Sequence, residues 1–154
     1  MRIILQYIVV LNLCFFSLRA QITKADYYNK IDNKVFTFSK LSPNAPFDTI
    51  TAFVNNNFQT QEDRVRAYYT WIALNISYDV EHLNELNLMM VFNIDRIIST
   101  GQKTTDVLKS KMAVCEGYSN VMVDFCKASS IPCFLVCGYV KTPEGNIPEM
   151  LHAW

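Results

Sequence analysis

Tyr118, Val121, Met122 and Phe125 recur at the three-and-four spacing of one helix face, and soon afterwards Cys133 to Val140 runs as an unbroken β-favouring stretch. The first pattern predicts a helix over 115–128. Ser129, Ser130 and Pro132 end it, because proline lacks the N–H a helix needs and pushes its predecessor toward extended backbone. The second predicts a buried strand. Lys141 to Pro148, with Pro143, Gly145 and Asn146, reads as a hairpin loop, and Glu149 to Trp154 as the returning strand. A helix feeding an antiparallel pair points to an α+β domain in which that helix packs on the sheet.

Upstream the pattern is helical. Thr60 followed three residues later by Asp63 resembles a capping box. Behind it Val65, Tyr68, Tyr69, Ile72 and Ile76 share one face, which predicts an amphipathic helix over 62–76. Asp48 is expected to cap a shorter helix through Ile50, Phe53 and Val54, closed by Asn55, Asn56 and Asn57. Thr105 is expected to cap another through Val107 and Leu108, after the break at Ser99-Thr100-Gly101-Gln102. Leu86 to Ile98 is apolar and of undecided form. Trp71 and Tyr78 read as core. Asn75-Ile76-Ser77 matches a glycosylation acceptor, but at a helix end such a match is usually chance.

The chain divides into three parts: 1–20, a lead-in over 21–46, and a domain over 47–154. Residues 1–20 resemble a secretory signal, with Arg2 before an apolar stretch from Ile3 to Leu18 and small Ala20 before Gln21. The other reading is an uncleaved anchor, although the stretch is short beside the about 20 apolar residues of a membrane span. Export to the periplasm or the extracellular space is the expectation, with no stable membrane insertion after cleavage. Formal net charge is zero. Without residues 1–20, which hold Arg2 and Arg19, twelve basic residues face fourteen acidic ones and no basic stripe remains. Nucleic acid is therefore excluded as the expected partner.

Of the five cysteines, Cys14 lies in the leader. Cys133 and Cys137 share one strand, about 13 Å apart at roughly 3.3 Å per residue, too far for a direct bond. Cys126 and Cys133 could meet across a helix–strand contact and form one bridge. The other reading makes Cys126, Cys133 and Cys137 small buried hydrophobes.

Cys115 would open its helix, and His152 lies 37 positions later on the returning strand. A thiol attacks a carbonyl as thiolate, a form favoured at helix N-termini and beside an imidazolium. The unpaired N–H groups of a first turn can also hold the oxyanion of a tetrahedral intermediate. Gly117 keeps that turn uncrowded. His152 would take the thiol proton and return it to the leaving amine. The imidazole then needs a carboxylate on its far nitrogen. Glu144 and Glu149 are the nearest acids, and Glu149 is a poor orienter because three positions along a strand reach the opposite face. By spacing alone the pair stays ambiguous, since a lone helical cysteine and a lone strand histidine are more often structural.

Three segments together resemble the transglutaminase-like superfamily of papain-type cysteine enzymes. They are Asp63 to Asp79, Val114-Cys115-Glu116-Gly117-Tyr118-Ser119, and Gly138-Tyr139-Val140 with His152-Ala153-Trp154. The resemblance implies a core helix carrying the nucleophile Cys115, packed on an antiparallel sheet carrying the base His152. Glu116, Gly117 and Trp154 would support the oxyanion site and its surroundings. It implies acyl-enzyme chemistry on amide bonds of a peptide or protein: hydrolysis, deamidation or acyl transfer. It also implies a third strand supplying an aspartate, and Asp79 does not substitute for it. The sequence is therefore expected to be a C-terminally truncated form of low activity, as loss of the tautomer-fixing carboxylate can cost on the order of 10⁴ in rate. The alternative is a non-catalytic binding or scaffold module that retains the fold. No cofactor is expected. His82, His152 and the cysteines are spaced unlike a zinc motif, and oligomeric state is open.

Overall fold

The computed structural model describes residues 24–91 (side chains through 88), 101–141, 145 and 152–154. The expected leader, Glu144, Glu149 and most of the expected hairpin loop lie outside the described residues. Helix α1 spans 24–41, followed by α2 (Phe47–Asn57), α3 (Gln61–Asn75), β1 (Ser77–Tyr78), α4 (Val80–Val91), α5 (Thr104–Ser110), β2 (Met112–Ala113), α6 (Cys115–Ala128), β3 (Cys137–Gly138) and β4 (His152–Ala153). Helices dominate and the strands are short, an α+β arrangement.

The core gathers around Phe125 of α6. Its ring stacks on Tyr68 at 4.8 Å and on Phe47 at 5.2 Å, and meets Trp71 edge-on at 5.6 Å. One residue thus joins α2, α3 and α6, each buried aromatic contributing roughly 1.5–3 kcal/mol. Beyond it, Tyr68 donates to Ser129 at 2.5 Å and Ser129 donates to Asn55 at 2.7 Å. This chain of buried hydroxyls fixes the C-terminal end of α6 against α3 and α2. Burial raises the Tyr68 phenol above its ordinary value, so it remains a donor.

Helix α1 occupies part of the expected lead-in. Ile31 and Val35, four apart on one face, are buried in the same core. Its polar face is tied to α3. Arg66 donates twice to Asp32, at 2.9 and 2.6 Å, and Thr70 donates to Asp32 at 2.6 Å. The Arg66 bond holds the Asp32 carboxyl below the usual carboxylate range.

Several expected helix starts move. Thr60 does cap α3, accepting from the Asp63 N–H at 3.1 Å. The Asp63 carboxylate does not complete a capping box: both its oxygens accept from the Tyr27 hydroxyl of α1 at 2.8 Å. Asp48 lies inside the first turn of α2 and Pro46 occupies the cap position. The cap of α5 is Lys103 rather than Thr105, and Thr104 instead donates to Asp124 of α6 at 2.6 Å. Asn75 spends its amide on Ser39 at 3.0 Å and on the Trp71 carbonyl at 2.7 Å. The first part of the undecided 86–98 run belongs to α4; residues 92–98 fall outside the described residues.

Among the described residues two small sheets lie against α6. β1 and β2 pair in parallel, Ser77 opposite Met112 and Tyr78 opposite Ala113. β3 and β4 pair antiparallel, Cys137 opposite Ala153 and Gly138 opposite His152. Val136 and Trp154 extend that ladder through reciprocal bonds of 2.9 and 3.0 Å. The expected long buried strand over 133–140 is instead a short exposed one, with Phe134 83% and Val136 51% accessible. A strand buries a continuous apolar run only when covered on both faces, and among the described residues β3 has β4 as its one neighbouring strand. Cys126 is buried, while Cys133 is half-buried and Cys137 exposed, so the shared reading of the three as buried hydrophobes holds for Cys126 only. All four described cysteines are free thiols. No helix among the described residues is long and apolar enough to cross a membrane.

Candidate active site

Cys115 is the first residue of α6, with Val114 at the cap position in extended backbone. The first intrahelical bond runs from the Tyr118 N–H to the Val114 carbonyl at 3.1 Å. The N–H groups of the residues between belong to the helix start, where backbone dipoles favour negative charge. The cysteine is half-buried, open to a reagent yet walled by protein.

The approach to Cys115 is pinned from below. The Lys111 carbonyl accepts from the Ser77 N–H at 2.8 Å and the Ala113 carbonyl from the Asp79 N–H at 2.9 Å. β1 therefore fixes the strand whose next residues are Val114 and Cys115. One turn beyond the cysteine, the Tyr118 hydroxyl donates to the Ile76 carbonyl at 2.7 Å. Asp79 caps α4, its carboxylate accepting from the His82 N–H at 3.0 Å.

Tyr78 was expected in the core, but it is 44% exposed and lies at the site. Its ring stacks on Tyr118 at 6.2 Å, and Cys115 is its neighbour on the other side of the strand pair. Burial first, then the neighbouring Cys115 and Tyr118, raise its phenol above the usual value, while the Cys115 N–H pulls the other way. The phenol thus stays protonated and can donate. Its strand-like surroundings gave no sign of this, because parallel pairing with a segment over thirty residues away put it there.

His152 lies on β4, opposite Gly138, and β4 packs against α6. The imidazole is exposed, with the Trp154 ring 5.4 Å away. Trp154 is two residues on and shares its face of the strand. The indole lies across Gly138, where a Cβ would stand 3.3 Å from its Cη2. Gly138 therefore leaves room for Trp154 to flank His152. Gly117 sits in the first turn of α6, where a Cβ would stand 2.8 Å from that of Ala113 and 3.0 Å from Val107 Cγ2. Glu116 is half-buried in the same turn.

The arrangement offers a thiol at a helix start, two candidate donors for a developing oxyanion and an imidazole on a strand packed against the same helix. That set suits nucleophilic attack on an acyl carbon.

Comparison with known proteins gives a consistent result. The family model described as the transglutaminase-like superfamily matches residues 48–154. Kyphoscoliosis peptidase of Mus musculus is 28% identical over 129 residues, which is 76% of this chain and 18% of that protein. Kyphoscoliosis peptidase of Homo sapiens is 24% identical over 143 residues, 90% of this chain and 20% of that protein. The chain spans about a fifth of the length of these curated relatives. No solved structure matches.

Proposed function

The chain belongs to the transglutaminase-like superfamily, and on that premise we propose that it is a cysteine enzyme acting on amide bonds of a peptide or protein, with Cys115 as nucleophile and His152 as general base. The observation that carries this reading is the place of Cys115 at the start of α6, with the His152 strand packed on that helix. The peptidase name of the relatives favours hydrolysis over transfer. The apolar opening segment supports action after export.

In this reading His152 removes the Cys115 proton, and Sγ adds to the amide carbonyl carbon. The carbonyl oxygen takes up the negative charge and is held by the Cys115 N–H and the Tyr78 hydroxyl. The intermediate collapses as the C–N bond breaks, and the imidazolium returns its proton to the departing nitrogen. The thioester is then cleaved by water, or by an amine if transfer occurs. Trp154 flanks the imidazole, and Glu116 and Gly117 form the turn behind the nucleophile.

The test is site-resolved labelling with low iodoacetamide across pH. Cys115 should react well ahead of Cys126, Cys133 and Cys137 below about pH 8, where ordinary thiols are mostly protonated. Equal slow labelling of all four would remove the catalytic reading and leave a binding or scaffold module.

A further inference from the structure

Val114 precedes the nucleophile, and the cap position it fills has no side-chain cap of its own. Its N–H is instead taken by a residue twelve positions back: the Gln102 side-chain oxygen accepts it at 2.9 Å. Gln102 is itself held, since the Asn120 side chain of α6 donates to the Gln102 carbonyl at 2.9 Å. Close by, Thr104 is bonded to Asp124 on the same helix. Gly101, at φ +69, lets the chain turn into this position at no steric cost. The Gln102 amide reaches Val114 through space that Gly117 leaves open: a Cβ at 117 would stand 2.5 Å from Gln102 Oε1.

We propose that Gln102 is a positioning residue for Cys115, its amide oxygen capping α6 from outside the helix and Gly117 providing the slot through which it does so. This rests on the reading of Cys115 as nucleophile. β1 holds the 111–113 strand on one side through the Lys111 and Ala113 carbonyls. Gln102 holds Val114 through its N–H. Cys115 follows a backbone fixed by both, so its sulfur keeps one position relative to the first-turn N–H groups. Without Gln102 the Val114 N–H has lost its acceptor, the helix start frays, and the sulfur samples positions outside the dipole of the first turn. Tyr78 of β1 is the titratable group recorded beside Cys115; Glu116 and Tyr118 follow it on α6, and His152 lies on the strand packed against that helix. The Gln102 variants leave all of them in place.

The experiment is the pH–rate profile of Cys115 alkylation by iodoacetamide, with thermal unfolding measured alongside. Gln102→Ala and Gly117→Ala are each expected to slow Cys115 about threefold near neutral pH and to alter the pH–rate profile. Cys133 and Cys137 should be unaffected. Asn120→Ala, which frees the Gln102 backbone without touching Val114, should give a smaller slowing and decides the matter if the other variants do not fold. A wild-type profile in folded Gln102→Ala, or in Asn120→Ala where that variant decides, overturns the proposal. A wild-type protein in which Cys115 is no faster than Cys133 overturns the nucleophile reading itself, and is recognised before any variant is made.

Discussion

Tyr78 and Tyr118 stack with ring centroids 6.2 Å apart and planes 18° from parallel, and this pair walls one side of Cys115. Tyr118 is anchored to the Ile76 carbonyl. Tyr78 is thereby backed by a fixed ring and stands beside Cys115.

Tyr78→Phe keeps the stack and removes the hydroxyl. Acylation of Cys115 by p-nitrophenyl acetate, which passes through an oxyanion, should slow by about a hundredfold, the lower end of what loss of an oxyanion donor costs. Alkylation by iodoacetamide forms no oxyanion and should change less than about twofold. Equal slowing of both would reduce Tyr78 to a packing role.

His152→Ala tests the base. Alkylation of Cys115 near neutral pH should fall about tenfold, as an imidazolium neighbour favours the thiolate. Cys133 and Cys137 serve as internal controls. An unchanged Cys115 rate would separate His152 from the thiol.

The attachment of α1 is open to a stability measurement. Val35 is fully buried in the shared core and Phe36, beside it, is 44% exposed. Val35→Ala should cost about 2 kcal/mol in denaturant unfolding. Phe36→Ala should stay within about 0.5 kcal/mol. Equal small effects would mean that α1 is not part of the cooperative core.

Cys126 supplies a pH prediction. Burial, with the Cys133 thiol next to it, pushes its thiol up to about 12 from an ordinary 9.0. Between those values the unfolded chain loses the proton and the native protein keeps it. Stability from this group is therefore complete below about pH 9 and declines as pH rises toward about 12. Cys126→Ala should flatten that part of the alkaline unfolding curve while lowering stability at neutral pH by about 1 kcal/mol through lost packing. An alkaline slope identical to wild type would refute the assignment.

Some elements were legible because their signals are local. α6 begins and ends where Tyr118, Val121, Met122, Phe125 and the Ser129–Pro132 stop place it. Thr60 caps α3 as its side chain and spacing imply. α1 is not legible locally although Ile31 and Val35 carry a helical repeat, because Lys30, Asp32, Asn33 and Lys34 surround them with charge and polarity. The strand over 133–140 is shorter and more exposed than its composition implies, because β-favouring composition reports a preference, while burial depends on what lies against the strand.

The sequence alone determined where the Cys115 helix starts, which residues could fill its core face and which family the three motifs resemble. Those properties follow from side-chain periodicity and backbone capping, both settled within a few residues along the chain. Tertiary structure decided that Tyr78 stands at Cys115 instead of in the core, that Gln102 caps Val114, and that Gly117 and Gly138 are slots for the Gln102 amide and the Trp154 indole. Each of these is a contact between segments distant in sequence, fixed by parallel pairing of β1 with β2, by the fold of the 101–104 loop onto α6, or by cross-strand register. Spacing along a chain reports the face a residue occupies; only packing reports what that face meets.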